Sequence, residues 1–314
     1  LGWQVPIVTD SNHTKARFES IETKRLKEDL AACVTPVVAG FQGVDAGGDI
    51  TTIGRGGSDT SAVAIAAALN ADECRIYTDV DGVYTADPRI VDDAQKMDLI
   101  SFEEMLELAS LGSKVLHPRA VEYAANSGVT LRVLSSFNEG RGTLITFEDA
   151  KMEQPVVSGI AHAIDEAKLT VVGVPDVPGV ASTILGPIAD ASIEVDMIVQ
   201  NIGSDGTTDF TFTVKRRDYD TAKGILNGVI KDVGARDLIG DKAIVKVSVV
   251  GVGMRSHAGV ATRMFNALAE ENINIQMIST SEIKISVVIA ERYLELAVRS
   301  IHKVFDLGNG NVAE

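Results

Sequence analysis

A glycine-rich segment that precedes a predicted helix contains residue types suited to binding an anion. It reads Thr-Thr-Ile-Gly-Arg-Gly-Gly-Ser-Asp-Thr and spans residues 51–60. Free N–H groups at a helix start, together with the helix dipole, bind anionic oxygens, and glycine lets a ligand approach the backbone closely. Arg55 adds a planar guanidinium that fits a carboxylate or a phosphate. The segment matches neither the P-loop nor the dinucleotide-binding pattern, so a plain glycine turn with Ser58 as the helix N-cap remains an alternative.

A second polar segment, residues 78–89, follows a predicted strand. It reads Thr-Asp-Val-Asp-Gly-Val-Tyr-Thr-Ala-Asp-Pro-Arg and therefore contains three aspartates. Their spacing is not that of an EF-hand, and the terminal glutamate of such a loop is missing. Because α/β sheets bind ligands at the carboxyl ends of parallel strands, the segment is a candidate ligand-binding loop.

The remaining reactive residues give weaker signals. Lys114 follows a predicted helix that ends at Gly112, where a lysine is more often solvated than catalytic. The five histidines share no ligand spacing, so we predict no metal site built by protein side chains alone. Two cysteines, Cys33 and Cys74, are too few for a disulfide framework and indicate a reducing cytoplasm.

Length and charge limit the possible functions. The 314 residues predict two or three domains. With 29 Lys and Arg against 44 Asp and Glu, the formal charge is −15, which argues against broad binding to nucleic acid or to anionic membranes. No segment approaches the run of about 20 apolar residues that crosses a bilayer. We therefore expect no nucleic-acid partner and no membrane association.

The elements of the first half must position these segments. Strands and helices alternate there, which predicts an α/β domain with a mainly parallel sheet. Ser101 with Glu104 predicts a capping box at the start of a helix. The predicted strands are 36–41, which is expected to be a buried parallel strand, 75–78 and 129–134, and the predicted helices are 58–70 and 101–111.

An internal repeat dominates the second half. Residues 168–174 resemble 246–252, and Gly-Val-Ala occurs both at 179–181 and at 259–261. Each copy predicts a ferredoxin-like βαββα unit. The first copy has a closing strand near 235–239, whereas the second runs out after its last helix. We expect the strand at 156–164 to complete the second copy, so that the first repeat is inserted in the second.

The three segments and the repeat together resemble the aspartokinases, which belong to the amino-acid-kinase family. Gly-Arg-Gly-Gly-Ser-Asp at 54–59, the segment at 78–89 and Gly-Ser-Lys-Val-Leu at 112–116 carry the resemblance, with further matches at 102–107 and 278–282. It implies an amino-acid-kinase sheet at 1–150, a first ACT domain at 168–243 and a second at 155–167 plus 244–314. The family phosphorylates the β-carboxylate of L-aspartate with ATP and Mg²⁺, the entry step to lysine, threonine and methionine.

The resemblance also implies roles for individual residues of the first half. Arg55 would hold the aspartate α-carboxylate in a pocket shaped by Gly56, Gly57 and Ser58. Asp59 would orient the active-site lysines, and Lys114 would contact the phosphates of ATP. The residues implied to surround the nucleotide are Thr78, Asp79, Tyr84, Asp87, Pro88 and Arg89.

The ACT domains imply feedback inhibition by lysine, by threonine or by both. Helix N–H groups would take the effector's carboxylate, and Asp196 or Asp176 would take its ammonium. The implied effector residues are Asp176, Gly179, Val180, Ala181, Glu194, Val195, Asp196 and Gln200 in the first copy and Asn274, Ile275, Ser279 and Ser281 in the second. Pairing of such domains between subunits implies a homodimer or a larger assembly.

The sequence departs from the family pattern at its start. Aspartokinases begin with a strand carrying Lys-Phe/Tyr-Gly-Gly and later supply a substrate-binding glutamate, and neither is found here. We therefore expect an aspartokinase that lacks the first part of its kinase domain and has negligible turnover by itself. A non-catalytic, amino-acid-sensing regulatory subunit or fragment is the alternative function.

Overall fold

The computed structural model describes residues 4–113, 115–148, 156–203 and 206–309. They form two compact units. Among the described residues, the first unit contains those up to 161, together with 250–257 and 306–309, and the second contains those between 162 and 249 and 258–305. No helix within the described ranges is both long enough and apolar enough to span a membrane.

The first unit has a mixed α/β architecture. Its described strands are β1 (Ile7–Thr9), β2 (Phe18–Ile21), β3 (Gln42–Val44), β4 (Ile50–Thr52), β5 (Cys74–Thr78), β6 (Leu99–Ser101), β7 (Leu131–Ser135) and β8 (Thr143–Thr146), and its helices are α1 (Lys24–Ala31), α2 (Gly57–Leu69), α3 (Phe102–Ser110) and α4 (Pro118–Ser127). They build two sheets, in the orders β2-β1-β3-β4 and β5-β7-β8-β6. The pairs β1–β3, β5–β7 and β6–β8 are parallel, while β1–β2, β3–β4 and β7–β8 are antiparallel.

Helix α2 confirms the helix predicted at 58–70, and its small residues explain its packing. Val63 and Ala64 are fully buried, and a helix face of small residues allows neighbouring elements to approach closely. The alternative of Ser58 as N-cap is wrong, because Gly56 in left-handed conformation (φ 69°) is the N-cap. Asn70, also left-handed, ends the helix.

The capping box at Ser101 and Glu104 is confirmed and extends further than the sequence indicated. The Glu104 N–H donates to Ser101 Oγ, and the Ser101 N–H donates to Glu104 Oε2, each at 3.2 Å. The other carboxylate oxygen, Oε1, accepts from Ser158 Oγ at 2.5 Å and from the Val252 N–H at 3.1 Å. Glu104 is fully buried, so one carboxylate joins the start of α3 to two distant segments of the same unit.

The strand predicted at 36–41 is wrong. Residues 34–40 form no strand, and Val37 is 96% exposed. Phe41 has φ 69°, which breaks an extended path just before β3 begins. An apolar run indicates only that the residues are hydrophobic. A strand also needs a neighbouring strand whose backbone N–H and C=O groups pair with its own.

The second unit is one six-stranded sheet with helices. Its elements are β9 (Gly159–Pro175), which begins in the first unit, α5 (Val180–Asp190), β10 (Val195–Ile202), β11 (Thr207–Lys215), α6 (Tyr219–Val233), β12 (Asp237–Val250), α7 (Val260–Glu270), β13 (Met277–Thr280), β14 (Lys284–Ala290) and α8 (Leu294–Val304). The strand order is β10-β11-β9-β12-β14-β13. Strands predicted separately at 156–164 and 168–174 are one strand, β9, and those at 235–239 and 246–252 become the single strand β12. Each repeat places two further strands outward from this central pair, and the bounds given above for the two ACT domains stay a prediction.

Candidate active site

The start of α2 presents an exposed arginine between two glycines. Gly54 and Gly56, which flank Arg55, have φ 86° and 69°. Residues other than glycine rarely adopt this left-handed backbone conformation. Arg55 and Ser58 are exposed, whereas Gly57 is buried. The first-turn N–H groups of a helix have no intrahelical partner and carry the positive end of the helix dipole. The geometry therefore suits an anionic group beside Arg55.

The start of α4 lies against this loop. Arg119 donates from Nη1 to the Ile53 carbonyl at 2.9 Å and from Nη2 to the Ala16 carbonyl at 2.8 Å. His117 is the N-cap of α4 and packs on Gly56 so closely that a Cβ at Gly56 would clash with the Cβ and Cγ of the histidine. Sequence reasoning missed both residues, since neither a histidine nor an arginine at a helix start is a signal by itself.

Asp59 is half-buried in the first turn of α2, beside His117. Burial raises the pKa of the Asp59 carboxyl, although hydrogen bonds from Ser58 and from the His117 backbone N–H and the charge of His117 oppose the rise. Burial, followed by the nearby charge of Arg55, lowers the pKa of His117, while Asp59 acts against this. Arg55, Asp59 and His117 therefore share one electrostatic environment.

The loop predicted to bind a ligand leaves the carboxyl end of β5. Asp79 is exposed and accepts from Thr78 Oγ1 at 3.1 Å. Tyr84 donates to Asp81 at 2.8 Å, and Lys96 also reaches Asp81, at 3.2 Å. Two internal contacts therefore hold the middle of the loop in place, and sequence reasoning did not single out Asp81 or Lys96.

The far end of this loop carries its own ion pair. Arg89 grips Asp87 with two donors, Nε at 3.0 Å and Nη2 at 2.7 Å. Pro88 and Arg89 are exposed, so the guanidinium lies at the surface. Arg89 could turn toward an anionic ligand only by weakening its contacts with Asp87.

A groove of about 810 Å³ adjoins the loop. It lies along β5 and β7 and the turn after β7, where the Ser136 N–H donates to the Thr78 carbonyl at 2.8 Å. Tyr77 and Phe137 are 60% and 79% exposed there. Arg75 and Arg132 also line the groove, and both pair with Glu73, at 2.7 and 2.9 Å.

One predicted site residue, Lys114, lies outside the described residues. No group of three or more His, Cys, Asp or Glu in the described ranges is arranged to hold a metal ion.

The predicted effector residues of the first repeat lie at the start of α5 and along β10. Gly179, with φ 95°, is the N-cap of α5. Val180 is buried, whereas Asp176 and Ala181 are exposed. Glu194, just before β10, and Asp196 and Gln200 on it are exposed, and Val195 is half-buried. The register of β10 with β11 shifts between Val195 and Ile198, so the alternation of faces does not continue unbroken from Asp196 to Gln200.

Asp196, predicted to take an effector's ammonium, already holds an ammonium group. Its carboxylate is paired with Nζ of Lys246, a side chain only 6% exposed. Lys246 also lies 4.0 Å from Glu166, which in turn accepts from Lys215 at 3.0 Å. The predicted acceptor is thus one member of a four-residue charge cluster, which the sequence pattern did not predict.

The second repeat shows a related arrangement with a neutral partner. Lys168, at the position equivalent to Lys246, donates to Gln276 Oε1 at 2.5 Å. Asn274 and Ser281 are exposed, and Ile275 and Ser279 are half-buried. Each of these lysines lies within a central strand, and it contacts the other repeat at its outer strand or, for Gln276, at the residue just before that strand.

Comparison with known families decides the identity of the chain. Residues 3–135 match the amino acid kinase family, and residues 168–231 and 247–305 each match an ACT domain. The aspartate kinase Ask_LysC of Stutzerimonas stutzeri is 66% identical over 316 residues, which cover 100% of this chain and 77% of that protein. The chain belongs to the aspartate kinase family.

Solved structures agree with this assignment. E. coli aspartokinase III in complex with aspartate and ADP (R-state) matches with a TM-score of 0.77 and 27% identity, over 95% of this chain and 67% of that one. The same enzyme in complex with lysine and aspartate (T-state) matches with a TM-score of 0.69 at the same identity and coverage. The expected fold class and the expected membership among aspartate kinases, which phosphorylate the β-carboxylate of L-aspartate with ATP, are confirmed.

Proposed function

We propose that L-aspartate binds at the start of α2, with its α-carboxylate on Arg55. The observation that carries this assignment is the exposed guanidinium held between two left-handed glycines at a helix N-terminus. Gly56, Gly57 and Ser58 would shape the pocket, because glycine lets a ligand approach the helix N-terminus closely, while the Gly57 N–H itself donates to the Gly54 carbonyl at 2.9 Å. The E. coli relative bound to aspartate supports a substrate of this class.

Asp59 and Lys114 would serve phosphoryl transfer rather than proton transfer. The β-carboxylate of aspartate is already ionised at neutral pH, so the nucleophile needs no base. Phosphoryl transfer depends on positioning and on cations that neutralise the charge of the moving group. Asp59, beside His117 and Arg55, would orient the active-site lysines, and Lys114 would contact the ATP phosphates.

ATP would lie against the loop that follows β5. Thr78 and Asp79 are accessible at the carboxyl end of that strand, and Tyr84, Asp87, Pro88 and Arg89 complete the set. Asp79 offers one exposed carboxylate, and no metal-binding cluster of acidic residues lies in the described ranges. Mg²⁺ would therefore be held mainly by the nucleotide phosphates and water, as is usual for this ion.

The repeats would bind lysine, threonine or both, at the start of α5 and on β10 in the first copy and near β13 in the second. Helix N–H groups would take the effector carboxylate, and the ACT match together with the lysine complex of the E. coli relative supports the assignment. Ile198 on β10 and Ile278 on β13 occupy equivalent positions and are 51% and 44% exposed. Exposed apolar side chains on edge strands are suited to pairing between subunits, as in a homodimer or a larger assembly. We expect the protein to be cytoplasmic.

Replacing Arg55 with alanine tests the proposed substrate site. In the full-length enzyme, Arg55→Ala should lower kcat/KM for aspartate. The bidentate, charge-assisted hydrogen bond to the α-carboxylate would be lost, which reduces transition-state stabilisation by about 1.5–3 kcal/mol. The KM for ATP is the internal control and should change little. Steady-state kinetics with each substrate varied in turn gives both values, and an unchanged kcat/KM for aspartate removes Arg55 from the site.

A further inference from the structure

His117 contacts the proposed aspartate site through three different parts of the residue. Its backbone N–H lies near the Asp59 carboxyl and helps to lower the pKa of that group. Its Cβ and ring edge occupy the space that a side chain at Gly56 would need. Its Nδ1 accepts the Arg119 N–H at 3.3 Å and so caps α4.

The turn that carries Arg55 is closed by the Gly57 N–H, which donates to the Gly54 carbonyl at 2.9 Å, and two further contacts hold it from outside. Gly54 and Gly56 flank the arginine and both are left-handed, and glycine has more conformational freedom in the free chain than any other residue. Arg119 holds the loop at the Ile53 carbonyl, which lies before the first glycine. His117 holds it at the second glycine. The direction of the Arg55 backbone therefore depends on both contacts from the first turn of α4.

One basic and one acidic group of the site, Arg55 and Asp59, both influence this histidine. Both act electrostatically on the His117 ring, so the histidine lies in the electrostatic environment of the proposed site. The Nδ1 lone pair accepts from the Arg119 N–H, which fixes the orientation of the ring. The ring is therefore suited to packing against the loop and not to carrying a proton. A shift of about 1 Å in the loop that this ring supports can lower a reaction rate about 100-fold, since reacting groups tolerate little misplacement.

We propose that His117 is a positioning residue for the aspartate site: its ring, packed on Gly56, fixes the backbone that carries Arg55. This inference rests on the proposed assignment of Arg55 to the substrate carboxylate. His117 acts through its neighbours and takes no part in the transfer itself.

Two substitutions in the full-length enzyme separate the ring from the cap. His117→Asn keeps an acceptor for the Arg119 N–H, because asparagine is a good N-cap, but removes the ring from Gly56. His117→Phe keeps a ring and loses the acceptor. We expect His117→Asn to raise the KM for aspartate at least about fivefold, with the KM for ATP and the Tm close to those of the wild type. We expect His117→Phe to lower the Tm while the KM for aspartate stays within about twofold of wild type.

Arg55→Ala is measured alongside as the reference for the site. If the aspartate KM follows the Tm, so that it rises in His117→Phe and not in His117→Asn, the residue is a helix cap and the inference is overturned. An equal rise in the KM for ATP also overturns it. If Arg55→Ala impairs aspartate use and His117→Asn does not, the proposed function stands and the positioning role fails. If neither variant affects aspartate use, both fail.

Discussion

Burial controls the reactivity of single side chains in the kinase unit, and its two cysteines show this most simply. Cys74 is buried in β5, and burial, followed by the negative charges of Asp59 and Glu73, raises the pKa of its thiol to about 11. Cys33 is exposed. Because the thiolate is the reactive form, these two residues should differ strongly in their reaction with an alkylating reagent.

We predict that iodoacetamide at pH 8 modifies the native protein at Cys33 and spares Cys74. The pH lies far below the raised pKa, so Cys74 stays a protonated thiol. Mass spectrometry of the digested protein measures modification at each site, and the unfolded protein, in which both cysteines should react, is the control. Equal modification of both residues in the native protein would contradict the assigned environment of Cys74.

Glu104 is a second residue whose surroundings define its role. Four donors converge on its buried carboxylate, from Ser101, Ser158 and Val252. Glu104→Ala would leave buried donors without an acceptor, at a cost of about 3 kcal/mol or more. Since a loss of about 1 kcal/mol lowers the Tm of a unit of this size by about 2–4 °C, we expect a decrease of about 6–12 °C.

The matched control for Glu104 is its neighbour in the chain. Glu103 is exposed and pairs with Arg255 at the surface, and surface ion pairs contribute about 0–1 kcal/mol. Thermal unfolding of Glu103→Ala should therefore resemble that of the wild type. Equal Tm values for the two alanine variants would show that the buried hydrogen bonds of Glu104 contribute little.

At the scale of elements, the sequence predicted what local rules decide. The capping box depends on residues three positions apart, and α2 depends on a glycine turn followed by alanines. The strand expected at 36–41 and the separate strands that merge into β9 and β12 depend instead on which neighbours pair with them. Hydrophobic pattern carries little information about such partners.

The candidate sites follow the same division. The sequence predicted that Asp196 lies on the strand after the first helix of the repeat, because the strand–helix pattern is a local property. Its partner Lys246 was not predicted, since the two residues are 50 positions apart and meet only when β10 and β12 enter one sheet. His117 was missed for the same reason, because its role depends on contact with Gly56 far along the chain.

At the scale of the whole molecule, regulation requires that an effector bind the inactive arrangement better than the active one. The charge cluster of Asp196, Lys246, Glu166 and Lys215 in the six-stranded sheet shows how effector binding could favour one arrangement of the repeats. Lys246 belongs to the second repeat and Asp196 to the first, so the pair connects the two. An effector whose ammonium binds Asp196 would compete with Lys246 and would alter the contact between the repeats.

We predict that substitutions of the two partners shift inhibition in opposite directions. Asp196→Asn removes the charge that would hold the effector's ammonium, so the inhibitory concentration of lysine or threonine should rise several-fold, within the range of about 1–3 kcal/mol typical of allosteric coupling. Lys246→Met frees the Asp196 carboxylate from its internal partner, while Glu166 keeps Lys215 at 3.0 Å, so the inhibitory concentration should fall. Inhibition curves for both variants, with the effector-free rate of each as the control for structural damage, provide the measurement. A shift in the same direction for both variants would mean that Lys246 does not compete with the effector, and unaltered inhibition in Asp196→Asn would exclude Asp196 from the effector site.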